Sequence, residues 1–306
     1  MRPEYREEPC RSALNPVRGM PFAWSLNPYM GCVHRCTFCY VRSFERRADR
    51  PWDERYGRSV RIKTNVAEVL RRELARRTWT HEEVVIGAAT DPYQPAEGRW
   101  RLTRACLEAL RDASNPIGII TRGPLVVRDR DVLREAAARA PVRLWVSVPT
   151  LDDALWRATE PGTSPPRQRM RAVRLLAEAG IRVSVLMAPI VPGLTDDDAG
   201  LTAVVLASRE AGAHGVGAGL LYLQPGTREH FLAELERDYP ADAARLRALF
   251  GERTYLPAAH TRALTARMAA IRERVPPRAP LAPLVRAAPR REPEPPVLAR
   301  QLGLAF

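Results

Sequence analysis

The chain has 306 residues, 45% of them hydrophobic, which is enough for one large domain with appendages. Its 48 basic against 35 acidic residues give a net charge of +13 and a pI of about 10.3, a balance that favours a polyanionic partner such as nucleic acid. An apolar amino-terminal signal region and any 18-residue apolar run are absent, so secreted and membrane-spanning classes are not expected, and five cysteines with three clustered fit a reducing, cytoplasmic compartment.

Residues 1–23 read as an irregular arm, because Pro3, Pro9, Pro16 and Pro21 interrupt any helix. From 24 to 227 the pattern is strand, loop, helix, repeated. A short first strand precedes Cys32. Apolar β-rich runs bounded by Gly or Pro predict further strands at 84–89, 117–121, 142–148, 181–187 and 215–223. Between them, 66–77 carries Val66, Val69, Leu70 and Leu74 on one helical face, 103–113 reads similarly, and 169–179 is stopped by Gly180. Six strand–helix units predict an α/β fold, a parallel sheet curved into a partial (β/α)6 TIM-like barrel. Residues 228–275 read as a C-terminal helical extension with helices near 229–237 and 263–274. From Pro276 prolines crowd the chain, predicting an extended, disordered linker over 276–300 and a short terminal peptide at 301–306.

Barrel active sites lie at the carboxyl ends of the strands. That rim collects residues 32–39 after strand one, Thr90 and Asp91 after strand two, and Arg122 after strand three. Ser147 and Thr150 end strand four, residues 189–196 follow strand five, and Tyr222 and Gln224 end strand six.

The first of these segments carries the chemistry. Cys32, Cys36 and Cys39 form Cys-x-x-x-Cys-x-x-Cys on one short loop. Iron–sulfur clusters are held by cysteine thiolates, usually four; three would bind three irons of a 4Fe–4S cluster and leave the fourth open to a ligand. A structural zinc site needs four ligands, usually from paired knuckles, and the chain has no second Cys-x-x-Cys, with His34 lying inside the same tight loop.

This loop resembles that of the radical S-adenosylmethionine (radical SAM) superfamily. The runs Met20-Pro21-Phe22-Ala23-Trp24-Ser25-Leu26-Asn27-Pro28-Tyr29, Cys39-Tyr40-Val41-Arg42, Ala89-Thr90-Asp91-Pro92-Tyr93-Gln94-Pro95-Ala96-Glu97 and Ala188-Pro189-Ile190-Val191-Pro192-Gly193-Leu194-Thr195-Asp196 are similar to its spore-photoproduct-lyase-like branch, labelled DNA repair photolyases. The resemblance implies an enzyme in which S-adenosylmethionine chelates the open iron. An electron from an external donor cleaves it, and the 5′-deoxyadenosyl radical abstracts hydrogen from substrate. It further implies that Phe38, Tyr40, Thr90, Asp91, Ser147 and Arg169 bind S-adenosylmethionine. Phe38 would lie near the adenine, and Thr90 and Asp91 would accept from the methionine amino group. One departure matters: the branch carries a hydrogen-donating cysteine near the end of strand two, where this chain has Ala88 and Ala89. Cys10 and Cys106 are the remaining thiols and the only other donor candidates.

The residues themselves leave alternatives open. The Ser147 hydroxyl suits a ribose. Arg169 fits a substrate carboxylate through its guanidinium fork, or equally a salt bridge to Glu160. Asp196 reads as the cap of the following helix. His34 and Arg42 flank the cysteines and either tune the site or satisfy loop carbonyls. Lys63 is the sole lysine in a chain that otherwise writes its cations as arginine, which makes it a site candidate. The same bias gives the charge a second reading, solvated helix faces such as Arg71, Arg72, Arg76 and Arg77.

The terminal run Arg300-Gln301-Leu302-Gly303-Leu304-Ala305-Phe306 resembles the peptide by which replication and repair proteins bind the DNA sliding clamp. Leu304 and Phe306 would be its apolar anchors and Gln301 its amide contact. Together these readings lead to a radical SAM enzyme acting on nucleic acid, with DNA in repair favoured. The alternatives are radical modification of RNA or protein, and an iron–sulfur binding protein without turnover.

Overall fold

The alternation of strand and helix carries through the computed structural model, which describes residues 3–276. In chain order the elements are β1 (Glu4–Glu8), β2 (Leu14–Pro16), β3 (Trp24–Leu26), β4 (Tyr29–Met30), α1 (Val41–Arg47), β5 (Ser59–Lys63) and α2 (Val66–Leu74). There follow β6 (Val84–Ile86), α3 (Ala96–Trp100), α4 (Leu102–Asp112), β7 (Ile117–Thr121), α5 (Arg130–Ala137), β8 (Val142–Ser147), α6 (Asp153–Thr159) and α7 (Pro166–Glu178). The last are β9 (Val183–Ile190), α8 (Asp198–Glu210), β10 (Gly215–Leu220), α9 (Thr227–Asp238), α10 (Pro240–Phe250) and α11 (Ala258–Arg274).

The main sheet has the order β10-β9-β8-β7-β6-β3-β2. Every pairing from β3 to β10 is parallel, and each strand lies beside its predecessor in the sheet. The six parallel strands, β3 and β6 to β10, form the expected partial barrel, and with β2 added beside β3 the sheet is open between β2 and β10. One face of its strands is a continuous apolar layer, with Val84, Ile86, Ile117, Ile119, Leu144, Val146, Val183 and Val185 all in register and buried. The face of α2 read from the sequence, Val66, Val69, Leu70 and Leu74, is buried in the same core.

Two expectations are corrected. The arm is ordered: β2 pairs antiparallel with the edge strand β3, and β1 pairs in parallel with β5 in a separate three-stranded sheet, β1-β5-β4. Prolines exclude helix there but leave edge strands open to the chain. The extension also holds three helices rather than two. The third is α10, which starts with Pro240 at its first position and buries Ala243, Leu246 and Phe250. Helices α9 and α10 form a second core with Leu221 and Leu223, and that core includes Cys36 and Phe38, so the extension packs directly beneath the cysteine loop. The expected linker beyond Pro276 and the terminal peptide lie outside the described residues.

The arm is tied down by one buried carboxylate. Glu73 on α2 accepts from the Ser12 hydroxyl at 2.8 Å and from the backbone N–H groups of Ala13 and Leu14 at 3.2 and 2.8 Å. Glu73→Ala strands these donors and is expected to cost about 2–3 kcal/mol in urea unfolding. It should also open Arg11 and Arg18 to trypsin while the barrel stays resistant.

Candidate active site

The cysteine loop leaves β4 and enters α1. Cys32 and Cys36 are buried and Cys39 is half-buried. Two glycines clasp the loop by close approach. A Cβ on Gly57 would fall 2.2 Å from the Cys32 carbonyl oxygen, and one on Gly162 would fall 2.2 Å from that of Val33. Only glycine lets the backbone come this near.

The loop after β6 braces the cysteine loop from the other side. The Gln94 side chain donates to the Gly31 carbonyl at 3.0 Å and accepts from the Val33 N–H at 3.1 Å. Asn27 Oδ1 accepts from the N–H groups of Ala89 and Thr90 at 3.0 and 3.3 Å. The Thr90 hydroxyl donates to the Tyr29 carbonyl at 3.1 Å. Asp91 is buried and accepts from Tyr93 N–H at 2.9 Å, the Thr121 hydroxyl at 2.6 Å and Arg122 N–H at 2.6 Å. Its Oδ2 also lies 3.3 Å from His34 Nδ1, a close charge contact without hydrogen-bond alignment. Burial alone would raise the Asp91 pKa, but His34 and these donors outweigh it and hold it at about 2. Burial likewise opposes charge on His34, yet Asp91 and Cys32 push its pKa up to about 10. Glu97 is spent within the fold. It accepts from Tyr29, from the backbone of Thr103 and Arg104, and from Arg128.

A second buried carboxylate organises the ends of β7 and β8. Glu160 takes Arg122 at 2.5 Å on one oxygen and Arg169 at 2.9 Å on the other. Burial would raise its pKa, but the two guanidiniums win and lower it. Arg169 is fully buried and also donates to the carbonyls of Ser164 and Ser147 and to the Thr163 hydroxyl. Glu160, one of the two partners read for Arg169 in the sequence, is in contact with it. Arg122 stands over the Phe38 ring, 5.5 Å from its centroid, and donates to the Ala188 carbonyl at 3.0 Å. The Ser147 hydroxyl is buried and has no hydrogen-bond partner among the described residues.

Arg42 satisfies loop carbonyls, donating at 2.7 Å to both Trp52 and Asp53, and its guanidinium lies over the Tyr56 ring. The Tyr56 hydroxyl is 3.6 Å from the Cys39 sulfur. Tyr40 bonds the Ala88 carbonyl at the end of β6. The other sequence candidates gather elsewhere. Cys106 is buried in the main core and Cys10 packs against that core, whereas Cys36 and Phe38 belong to the second. Lys63 lies with these two thiols, and burial lowers its pKa. The cap of α8 is Asp197, one residue beyond the expected Asp196, which instead bonds Gly193 N–H at 2.6 Å. Gln301, Leu304 and Phe306 lie outside the described residues. Sequence reasoning missed the bracing by Gln94 and Tyr56 and the clasp by Gly57 and Gly162. Gln94 stood in a quoted motif, but nothing in one sequence signals the others.

A family model described as the Radical SAM superfamily matches residues 26–203. The chain belongs to the radical SAM superfamily. An uncharacterized protein of Mycobacterium tuberculosis is 37% identical over 268 residues, 87% of this chain and 79% of that one. A protein of Pseudomonas phage M6 named as a radical SAM Nalpha-GlyT isomerase is 26% identical over 172 residues, 56% of this chain and 34% of that one. A solved spore photoproduct lyase mutant with bound AdoMet and dinucleoside spore photoproduct shares the fold, with a TM-score of 0.63 at 14% identity over 88% of this chain and 79% of that one. The chain is thus a radical SAM enzyme, and its superfamily implies S-adenosylmethionine and a 4Fe–4S cluster.

The donor set of this radical SAM chain suits that cluster. Among the described residues no three His, Cys, Asp or Glu side chains close on a single metal ion. That is compatible with a cluster, whose cysteines each bind a different iron. Burial pushes the Cys36 and Cys39 thiols up, so they are neutral until a metal displaces their protons.

Removing one partner of a buried ion pair leaves an uncompensated charge. Glu160→Ala leaves both Arg122 and Arg169 without their carboxylate. It is expected to cost about 3–5 kcal/mol in denaturant unfolding of the metal-free protein.

Proposed function

We propose that this radical SAM enzyme abstracts a hydrogen atom from a nucleic-acid substrate, with DNA favoured, using a 4Fe–4S cluster held by Cys32, Cys36 and Cys39. The observation that carries the chemistry is the clasped loop of three thiols set between two cores and braced by Gln94. When bound, the cluster supplies the electron that cleaves S-adenosylmethionine and so yields the 5′-deoxyadenosyl radical.

The chain's own residues would then bind and orient. Phe38 offers an aromatic face under Arg122, and the Ser147 hydroxyl has hydrogen-bonding capacity left for a ribose. Thr90 and Asp91 shape the neighbouring wall, where Asp91 fixes His34 and the Arg122 backbone. Arg169 holds Glu160 and through it the Arg122 side chain. Tyr40 closes the rim against Ala88.

Nucleic acid is supported by the net charge of +13 and by the dinucleoside photoproduct in the spore photoproduct lyase structure. Ala88 and Ala89 stand where that branch has its donor cysteine, and Cys10 and Cys106 pack with the main core. We therefore favour a reaction other than thymine-dimer reversal through a thiol donor. The C-terminal hexapeptide would dock the enzyme on the sliding clamp.

The test is anaerobic reconstitution with iron and sulfide, then reduction by dithionite in the presence of S-adenosylmethionine, with 5′-deoxyadenosine as the readout. Product is expected from the native chain and none from Cys36→Ala. A fully loaded native chain that yields none under any low-potential reductant, with or without DNA, overturns the reading. Deleting residues 301–306 is expected to abolish binding to a purified bacterial sliding clamp in surface plasmon resonance while deoxyadenosine formation persists. Unchanged clamp affinity would remove the docking role.

A further inference from the structure

Three large apolar side chains are exposed among the described residues, Phe44, Leu206 and Tyr255. Two of the three end one aromatic run. Phe44 packs edge-on against Tyr40 with ring centroids 5.6 Å apart. Tyr40 meets Tyr222 at 5.8 Å, and Tyr222 stacks on Tyr255 at 5.5 Å with only 25° between the planes. The middle of this run is anchored. Tyr40 directly follows Cys39 and bonds the Ala88 carbonyl, and the next residue but one after Tyr222, Gln224, bonds Ser43 on α1 at 2.5 Å. The ends stay open to solvent, Phe44 at 38% and Tyr255 at 50% exposure.

The charges beside the run have no acidic partner among the described residues. Arg46 and Arg47 close α1, and both are exposed. Arg47 lies over the Phe44 ring at 4.8 Å and Arg46 over Trp52 at 5.1 Å. Neither guanidinium takes part in a salt bridge among the described residues, whereas nearby Arg50 and Arg55 are paired with Glu45 and Asp53. Two free cations next to flat, exposed rings make a surface complementary to a strand whose phosphates alternate with bases. Every base has a π face, and aromatic platforms beside basic residues hold single strands in that way.

We propose that the exposed Phe44 and Tyr255, backed by the anchored Tyr40 and Tyr222, form a stacking shelf for the bases of single-stranded DNA at the edge of the cysteine loop, with Arg46 and Arg47 on the adjacent phosphates. This rests on the nucleic-acid reading above and specifies it: the substrate enters unpaired. A shelf that begins beside Cys39 delivers an unpaired base to the rim where the thiols lie. Duplex DNA, with its bases stacked on one another, offers the shelf nothing to hold.

The experiment measures fluorescence anisotropy of a labelled single-stranded oligonucleotide and its duplex on the reconstituted full chain across a salt series. Tyr255→Ala is expected to weaken the single strand about tenfold or more. The duplex should be little changed, and Tyr255→Phe should restore single-strand binding because the ring is kept. The double change of Arg46 and Arg47 to Gln should lower the salt slope by roughly 1.4, since each phosphate contact on a single strand contributes about 0.7. Circular dichroism and cluster absorbance confirm that each variant is folded and loaded. If the native chain binds single-stranded DNA and Tyr255→Ala binds it equally well, the shelf is wrong and the nucleic-acid reading stands. If the native chain binds no nucleic acid, or binds aromatic peptides instead, the reading on which the shelf rests falls with it.

Discussion

Everything at the rim depends on the hold that the loop after β6 exerts on the cysteine loop. A ten-residue segment carrying three thiols, two of them buried, has little regular structure of its own, and its backbone groups need partners where water is scarce. Gln94 supplies two of them with one side chain, and Asn27 returns the favour to the second loop. Gly57 and Gly162 seal the remaining sides by letting their own backbones touch the loop's carbonyls. These contacts tie the loop's backbone to the rest of the fold and so help to set where the three thiols lie.

Charge is handled with similar economy. Two carboxylates, Asp91 and Glu160, are buried near the thiols, and each is kept ionised by cationic partners. The result is a belt in which His34, Arg122 and Arg169 are neutralised by the protein itself. Buried pairs of this kind add little net stability but penalise any rearrangement that separates them. Their return is rigidity, which suits a site that must confine a reactive species without moving.

The barrel was legible in the sequence because its strands are short apolar runs and its helices carry one apolar face. Residues 117–121 were read as a strand with the bounds the structure has, and the buried face of α2 was named residue by residue. The arm was misread because prolines were taken as evidence against all regular structure, although β2 ends in Pro16 at a sheet edge where no further hydrogen bond is needed. Helix α10 is not separated in the sequence although Ala243, Leu246 and Phe250 are spaced as a helical face, because Pro240 reads as the end of α9 as readily as the start of a new helix. At the site, the thiols, Thr90 and Asp91 could be placed on the rim from strand order. The Arg169–Glu160 contact was one of two equal readings, since spacing alone does not say which acid an arginine meets. The clasp by Gly57 and Gly162 was invisible, because it joins segments distant in sequence through atoms that every residue possesses.

An open barrel has a cost that a closed one avoids, two strands whose outer hydrogen-bonding groups face away from the sheet. Here the first edge is β2, three residues long and ending in a proline that has no N–H to offer. The other is β10, against which α11 packs. Neither edge gives a strand from a second molecule a long, flat template. The arm that looked like a loose leader thus acts as a guard against lateral self-association, and shortening it would turn a folding question into a solubility one.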